Sequence, residues 1–398
     1  MLQDASMLRE IRLQIKGWLQ PIYTHLQNIG LALTGCHALQ TASKGNSSKE
    51  TLGHTHLCLQ PETERERIRF STVFVTAVKP CSLFDLSSWL ALSVCASECN
   101  CPINFPTAMY CDDRNLKYIP FVPTGIKYLY LQNNLLQEIK AGVFDNVTDL
   151  RWLVLDHNNI TSDKIQSGTI DKLGKLEKLL FSYNKLSKPP GLSTKSLDEV
   201  KFIGNQLTSL PSGFLSGMEN LTTIHLAKNK LTTEGIAGAF KGLKSLMLLD
   251  LSENKLRKLP AGVPASLLML YADNNDIETI PSGYLAKLPE LQYLRLSHNK
   301  LADSGIPAGV FNVTSLLELD LSFNKLQSIP EINEALEHLY LQVNQINKFD
   351  LPNICKVVSP VNYSRLKSLR LDGNNLTHSS MPDEASSCLR QASEIIFD

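Results

Sequence analysis

An eleven-residue pattern, Leu-x-x-Leu-x-Leu-x-x-Asn-x-Leu with other apolar residues at some Leu positions, recurs eleven times along this 398-residue chain. The copies begin at Ile126, Leu150, Leu176, Leu197, Leu221, Leu246, Leu267, Leu291, Leu316, Leu336 and Leu366. Successive starts lie 24, 26, 21, 24, 25, 21, 24, 25, 20 and 30 residues apart. Such a period constrains the fold more than any other feature, because each copy must form one unit that stacks on the next.

The pattern itself predicts a local structure. Side chains alternate along Leu-x-Leu, so Leu249 and Leu251 point to one face and Asp250 to the other, as in a strand with one buried face. Every copy keeps its Asn, at positions 134, 158, 184, 205, 229, 254, 275, 299, 324, 344 and 374. A buried Asn needs hydrogen-bond partners, and its amide can both donate to and accept from the backbone of neighbouring turns. We therefore interpret the Asn column as structural, since a catalytic residue is not needed once per coil.

This signature is that of the leucine-rich repeat. It predicts a leucine-rich repeat solenoid of the α/β class, mostly β, with eleven strands in a curved parallel sheet on the concave face. Periods of mostly 20–26 residues leave little room for a full helix. We therefore expect extended or single-turn segments on the outer side.

The cysteines cluster at the two ends of the array. Six of the nine flank the repeats: Cys95, Cys99, Cys101 and Cys111 before them, and Cys355 and Cys388 around the last coil. The terminal coils of a solenoid expose an apolar edge, and disulfides can cap that edge in an oxidising compartment. The alternative for the first four, a zinc site, is disfavoured because no His neighbours them and their spacing fits no usual zinc pattern. We expect no metal and no cofactor.

Glycosylation sequons also indicate secretion. Six lie in the repeat region, at Asn146, Asn159, Asn220, Asn312, Asn362 and Asn375, and another lies upstream at Asn46. Asn146 and Asn312 each precede the first Leu of a coil by four residues, so their glycans should leave the same side of the solenoid. That arrangement leaves the concave face free.

Residues 1–94 contain no repeat and carry an odd number of cysteines, Cys36, Cys58 and Cys81. Their apolar runs, 29–39 and 83–94, are too short for a membrane span and too far from Met1 for an ordinary signal peptide. The segment is either a poorly structured extension or the product of a wrong first exon in the gene model. Lys plus Arg equals Asp plus Glu, 39 each, so net charge favours neither nucleic acid nor an acidic membrane as a partner.

Residues 95–134 resemble the N-terminal cap and first coil of the small leucine-rich proteoglycans, in the branch that contains lumican, fibromodulin and keratocan. The Cys-x3-Cys-x-Cys-x9-Cys spacing is that of the branch, and segments 291–307 and 340–351 are most like its lumican type. The resemblance implies the pairings Cys95–Cys101 and Cys99–Cys111, and an elongated "ear" coil closed by Cys355–Cys388. It divides the chain into the unexplained segment 1–94, a cap at 95–125, repeats at 126–354, and the ear repeat with its cap at 355–398.

The resemblance implies a secreted protein of the extracellular matrix that binds fibrillar collagen, type I above all, and limits the lateral growth of fibrils. Keratan sulfate or simpler chains are implied on Asn sites, with Asn146, Asn220 and Asn312 at positions typical of the family. The family's acidic, tyrosine-bearing stretch is missing, since only Tyr23 precedes Cys95. Three alternatives stay open: a soluble binder of growth factors or innate-immune ligands, an intracellular scaffold, which the cysteines and sequons disfavour, and a homodimer formed through the concave face.

The middle residues of Leu-x-Leu predict where a ligand binds. They form a row that should line the concave face: Tyr130, Val154, Leu180, Lys201, His225, Asp250, Tyr271, Arg295, Asp320, Tyr340 and Arg370. Both charge signs and tyrosines would complement a collagen rod, although any solvated sheet face carries such residues. Asp273 matches an aspartate of the seventh coil in the family. We predict a collagen site at Asp273, Asp250, Tyr271, Arg295 and Asp320, with capping of the turn toward Asn275 as the alternative role of Asp273.

No catalytic constellation is found in the sequence, and we predict no enzyme activity. The stretch GAFKGLKS, 238–245, fails as a phosphate loop because Leu243 stands where Lys should follow Gly. Four histidines, His157, His225, His298 and His338, fall on different coils. No carboxylate partner is evident for them, so they are interpreted as isolated surface residues.

Overall fold

The computed structural model describes residues 95–357, 359 and 361–397. Residues 1–94, with Cys36, Cys58, Cys81 and Asn46, lie outside the described residues. The division of the chain into four parts therefore stays a proposal.

Thirteen strands of three residues each form one parallel sheet within the described residues, in the same order as in the chain. They are β1 Ala108–Tyr110, β2 Tyr128–Tyr130, β3 Trp152–Val154, β4 Lys178–Leu180, β5 Glu199–Lys201, β6 Thr223–His225, β7 Leu248–Asp250, β8 Met269–Tyr271, β9 Tyr293–Arg295, β10 Glu318–Asp320, β11 His338–Tyr340, β12 Ser368–Arg370 and β13 Glu394–Ile396. The eleven predicted strands are β2 to β12. The count of eleven was too low, because the N-terminal cap adds β1 and the segment after the last repeat adds β13.

The leucine columns form the core between the sheet and the outer side of each coil. The central residue of every repeat strand is buried, as Leu249 and Leu270 are, and these residues lie in register across neighbouring strands. Larger side chains such as Phe181 and Phe240 are fully buried as well. Removing this apolar area from water is the main force that holds each coil against the next.

The outer side carries single-turn segments, as predicted. The described residues include six 3-10 helices of three residues and one short α-helix. Their bounds are Ser162–Lys164, Glu234–Ile236, Leu285–Lys287, Asp303–Gly305, Leu351–Asn353 and His378–Ser380, with α1 at Ala385–Cys388.

The recurring Asn joins neighbouring coils through hydrogen bonds. In the middle of the array, Asn229 Nδ2 donates to the carbonyl oxygen of Phe202 in the preceding coil at 2.8 Å and to that of Leu226 in its own coil at 3.0 Å. Its Oδ1 accepts the N–H of Leu207 at 3.0 Å. The structural interpretation of the Asn column is confirmed, because the amide satisfies backbone groups that the turn would otherwise bury without partners.

The residue before each of these Asn has left-handed backbone geometry. Nine of the eleven are not glycine, with φ between 52° and 57°, and Gly204 and Gly373 take the other two positions. At Gly204 a Cβ would lie 2.6 Å from the ring of Tyr183, so the neighbouring coil also requires a small residue there. The tight turn after each strand repeats this strained conformation in every coil.

Disulfides close both ends of the array. They join Cys95 to Cys101, Cys99 to Cys111 and Cys355 to Cys388. The zinc alternative is wrong, because all four sulfurs of the N-terminal cluster form disulfides. Among the residues that the structure describes, no group of His, Cys, Asp and Glu could hold a metal ion. The same residues include no helix long and apolar enough to span a membrane.

Candidate functional site

The exposed face of the sheet is built from two rows of side chains. Residues on either side of the buried central residue of each strand share this face, because side chains alternate along a strand. The second row, from Tyr130 to Arg370, is the one predicted from the repeat pattern, and Val154 in it is buried. The first row was not predicted, although it follows from the same alternation of side chains. The first row consists of Tyr128, Trp152, Lys178, Glu199, Thr223, Leu248, Met269, Tyr293, Glu318, His338 and Ser368.

Four of the five predicted collagen-binding residues lie side by side. The register pairs Asp250 with Tyr271, Tyr271 with Arg295, and Arg295 with Asp320, across β7, β8, β9 and β10. Neighbouring strands of a sheet lie about 4.8 Å apart, so these four side chains span roughly 14 Å. The structure therefore assembles one strip of negative, aromatic, positive and negative groups.

The centre of this strip is a cation–π pair extended by an ion pair. The Arg295 guanidinium carbon lies 5.1 Å from the centre of the Tyr271 ring. Arg295 Nε donates to Glu318 Oε1 at 2.8 Å. Glu318 belongs to the first row, so this partner was missed from sequence. Arg295 remains 45% exposed, which leaves its outer face accessible to a ligand.

Asp250 also has a partner that the sequence did not reveal. His225 Nδ1 lies 3.6 Å from Asp250 Oδ2, and the N–H of Ser252 donates to Asp250 Oδ1 at 3.0 Å. Burial is the largest influence on the pKa of Asp250 and raises it, but the bonds from His225 and Ser252 outweigh burial and lower the pKa overall. The interpretation of His225 as an isolated histidine was wrong, because Asp250 lies on the adjacent strand.

The other histidines that were interpreted as isolated lie in separate surroundings. His157 stacks on Tyr183, with ring centres 4.4 Å apart, and His298 stacks on Phe323 at 3.9 Å. His338 lies on β11, 6.4 Å from the ring centre of Tyr340. These histidines do not converge on one site.

Asp273 lies just beyond β8 and connects two coils. Its Oδ1 accepts the backbone N–H of Ser297 at 2.8 Å and the hydroxyl of Ser297 at 2.9 Å. Burial raises the pKa of Asp273. The alternative role, in which the Asp273 side chain caps the turn toward Asn275, was wrong. The Asn275 amide donates to the backbone oxygen of Asp273, and the Asp273 carboxylate accepts from the next coil instead. Asp320 instead bonds within its own turn, where its Oδ1 accepts from Ser322 N–H at 2.9 Å.

A second ionic group precedes the strip. Glu199 lies between two lysines, with Lys178 Nζ at 2.7 Å and Lys201 Nζ at 2.8 Å. Burial, the largest influence, raises the pKa of Glu199, but the hydrogen bonds from both lysines outweigh it and the pKa is lowered overall. The charged part of the face thus begins at β4.

The sequon asparagines lie outside the strands. Five of them are exposed: Asn146, Asn220, Asn312, Asn362 and Asn375. Asn159 is half-buried, next to Asn158 of the Asn column. Asn312 Oδ1 accepts a hydrogen bond from Asn333 at 2.7 Å. Their glycosylation stays a prediction.

Comparisons with protein families agree with the repeat. A leucine-rich repeat model matches residues 124–186 and 195–256, another matches 287–308, and a leucine-rich repeat N-terminal domain model matches 94–123. Lumican from Gallus gallus is 57% identical over 306 residues, which cover 77% of this chain and 89% of that protein. Human lumican is 51% identical over 319 residues, covering 80% and 93%, and human fibromodulin is 50% identical over 301 residues, covering 76% and 80%.

Solved structures share the fold. A chain of the octameric complex of Latrophilin 3, Unc5D and FLRT2 aligns with a TM-score of 0.59 at 26% identity, over 76% of this chain and 83% of that one. YopM from Yersinia enterocolitica aligns with a TM-score of 0.55 at 23% identity, over 73% of this chain and 55% of that one. The second similarity extends to the fold alone.

Proposed function

Because the chain belongs to the small leucine-rich proteoglycans of the lumican and fibromodulin type, and is most like lumican, we propose that it binds fibrillar collagen through its concave face and limits the lateral growth of fibrils. Proteins of this family are extracellular matrix proteoglycans built of leucine-rich repeats, and they are not enzymes. We further propose that the protein is secreted and acts on type I collagen.

The strip formed by Asp250, Tyr271, Arg295 and Asp320 carries this proposal. Its alternating groups face solvent on four consecutive strands. A collagen rod is wound from three extended chains and presents charged side chains of both signs and imino-acid rings along its surface. Charges arranged in complementary order set the register and orientation of such a rod more than they set its affinity.

Asp273 stays part of the proposed site, where it would both link two coils and contact the ligand. Both bonds from Ser297 end on Oδ1. The other carboxylate oxygen, Oδ2, accepts no hydrogen bond within the part of the chain that the structure describes. It can therefore accept one from a ligand. A substitution at this position would disturb both the contact between coils and the ligand contact.

Glycans fit on other surfaces. We propose that Asn146, Asn220 and Asn312 carry keratan sulfate or simpler chains, with further chains at Asn159, Asn362 and Asn375. Because these asparagines lie on segments that connect the strands, their glycans would leave the concave face open to collagen.

The test is the turbidity of type I collagen as it assembles with the full chain, produced in the secretory pathway of a eukaryotic host. We expect the wild type to lower the final turbidity, and Arg295→Gln and Asp250→Asn to do so less. Lys244→Gln is the matched control, because Lys244 pairs with Glu219 at 2.9 Å outside the strands. Removing that charge should leave the inhibition unchanged.

Three outcomes would change the proposal. If the wild type does not alter collagen assembly, the collagen function fails and a soluble binder of growth factors or innate-immune ligands becomes the better account. If Arg295→Gln instead changes the self-association of the protein in sedimentation, the strip is a homodimer interface. Retained inhibition in both strip variants would place the collagen site elsewhere on the chain.

A further inference from the structure

The N-terminal end of the concave face is covered by five aromatic rings. We call this surface, formed by Phe105, Tyr110, Tyr128, Tyr130 and Trp152, the aromatic platform. The ring centres of Phe105 and Tyr128 lie 5.4 Å apart, and those of Tyr110 and Tyr130 lie 4.7 Å apart, both as stacked pairs. Tyr128 meets Trp152 edge to face at 5.1 Å. The rings therefore form two groups, one of three rings and one of two, which both include a residue of β2.

These rings are not part of the core. Tyr128 and Tyr130 flank the buried Leu129, and the alternation of the strand turns both of them to the solvent side. Phe105 is 42% exposed. A cluster of exposed aromatic rings on the same sheet face as a proposed binding strip is typical of a contact surface.

The aromatic platform is uncharged, in contrast with the rest of the face. None of the nine residues of β1, β2 and β3 is charged. The first charge along the face is Lys178, whose Nζ lies 5.1 Å from the centre of the Trp152 ring and is already paired with Glu199 at 2.7 Å. A charged ligand segment placed on the platform would lose water without gaining a partner charge.

We propose that the aromatic platform binds an uncharged, imino-acid-rich stretch of the collagen rod, while β4 to β10 bind a charged stretch. This inference rests on the proposed collagen function. Chains in the polyproline II conformation dock on aromatic surfaces, because their rigid rings lose little entropy and pack flat against side-chain rings. The charged residues begin on β4, next to the platform, and the strip lies further along the same sheet, so one rod can contact both.

The two parts of the face impose a spacing on the ligand. From β2 to β9 there are seven strand intervals, or roughly 34 Å at about 4.8 Å each. A polyproline II chain rises about 3.1 Å per residue, so the imino-rich and charged stretches should be separated by on the order of eleven residues. A collagen sequence with both features at another spacing should bind through one part only.

Triple-helical peptides of two kinds test this inference on the full secreted chain. One peptide contains only Gly-Pro-Hyp triplets, and the other carries alternating Glu and Lys in its central triplets. We expect Trp152→Ala and Tyr130→Ala to weaken binding of the Gly-Pro-Hyp peptide about tenfold, the effect of losing one aromatic contact. Arg295→Gln should weaken binding of the charged peptide and leave the Gly-Pro-Hyp peptide unaffected.

Two further variants guard against misfolding. Trp152→Phe keeps a ring and should retain most of the binding. Phe121→Ala removes an aromatic side chain that is 64% exposed outside the platform, and should change neither peptide's affinity. Thermal unfolding followed by circular dichroism should show that Tyr130→Ala is folded, with a midpoint only a few degrees below that of the wild type, because it loses one stacked ring pair.

The outcomes separate this inference from the proposed function. If the wild type binds type I collagen but does not bind Gly-Pro-Hyp, or if Trp152→Ala binds that peptide as well as the wild type, the platform inference is overturned and the collagen function stands. If neither collagen nor either peptide binds, both fail. If the platform variants lose binding of a sulfated oligosaccharide and keep binding of the peptides, the platform is a glycan site and the inference is overturned.

Discussion

Asp273 in one coil and Ser297 in the next are joined by two hydrogen bonds that end on the same carboxylate oxygen, one from the backbone N–H and one from the hydroxyl. Ser297 is buried, so both of its donors depend on this oxygen. Asp273, which we propose as a collagen-binding residue, is therefore also a structural link between coils.

Asp273→Ala should destabilise the protein, because it leaves the N–H of Ser297 without an acceptor. We expect the free energy of unfolding to fall by about 1–3 kcal/mol, measured by urea denaturation at pH 7. Asp273→Asn keeps one acceptor oxygen and should lose less.

Ser297→Ala separates the structural and binding roles of Asp273. This variant removes one of the two bonds but keeps the carboxylate and the backbone donor. If Asp273 binds collagen, Ser297→Ala should retain inhibition of fibril assembly while Asp273→Ala loses it. Equal loss in both variants would reduce Asp273 to a purely structural residue.

Glu199→Gln should lower stability at neutral pH, with an effect that fades in acid. Hydrogen bonds from Lys178 and Lys201 hold the pKa of Glu199 below its ordinary value of 4.5, despite burial. A carboxyl whose folded-state pKa is lowered contributes stability above its unfolded-state pKa and loses it as the pH falls through the folded-state value. We expect a loss of about 1 kcal/mol at pH 7, and little difference from the wild type once the pH is below the lowered folded-state pKa.

Asp273→Asn is the contrasting control in the same titration. Burial raises the folded-state pKa of Asp273 above its ordinary value of 3.8. The sign is therefore opposite: the contribution of Asp273 is largest below that value and declines as the pH rises through the folded-state pKa. Parallel pH profiles for the two variants would contradict the assignment of these environments.

Gly305→Ala should be strongly destabilising. A Cβ at Gly305 would lie 2.0 Å from the carbonyl oxygen of Glu278 in the preceding coil, so the backbone must move to admit it. We expect a loss of about 1–3 kcal/mol in urea unfolding, typical of overpacking. Gly174→Ala is the matched control, since no atom lies within 4 Å of a Cβ there, and it should be neutral or slightly stabilising.

Asn229→Ala should cost more than the same change at Asn374. Asn229 is buried in the middle of the array and satisfies backbone groups in two coils, including the N–H of Leu207. Asn374 lies in the last repeat and is only half-buried. Because water can replace a partner at the end of the array more easily, we expect about 2–4 kcal/mol at Asn229 and about half of that at Asn374. Equal losses in chemical denaturation would argue against this difference.

Much of the fold was predictable because each coil is a local unit. The alternation around Leu249, the place of Asn229 and the single-turn outer segments all follow from residues close together in the chain. The two extra strands were missed because β1 and β13 lack the repeat pattern and pair only by adding to the ends of an existing sheet. The left-handed residues before each Asn were missed for a similar reason, since only Gly204 and Gly373 show a residue type that prefers this geometry.

The period, the buried columns and the side of the sheet on which Asp250, Tyr271 and Arg295 lie can all be read from the order of the amino acids. Their partners, His225 and Glu318 among them, and the ring contacts of the aromatic platform become visible only once the coils are stacked. The physical reason is the solenoid itself. Residues that touch across neighbouring strands are about one coil apart in the chain, so no local pattern records which side chains will meet.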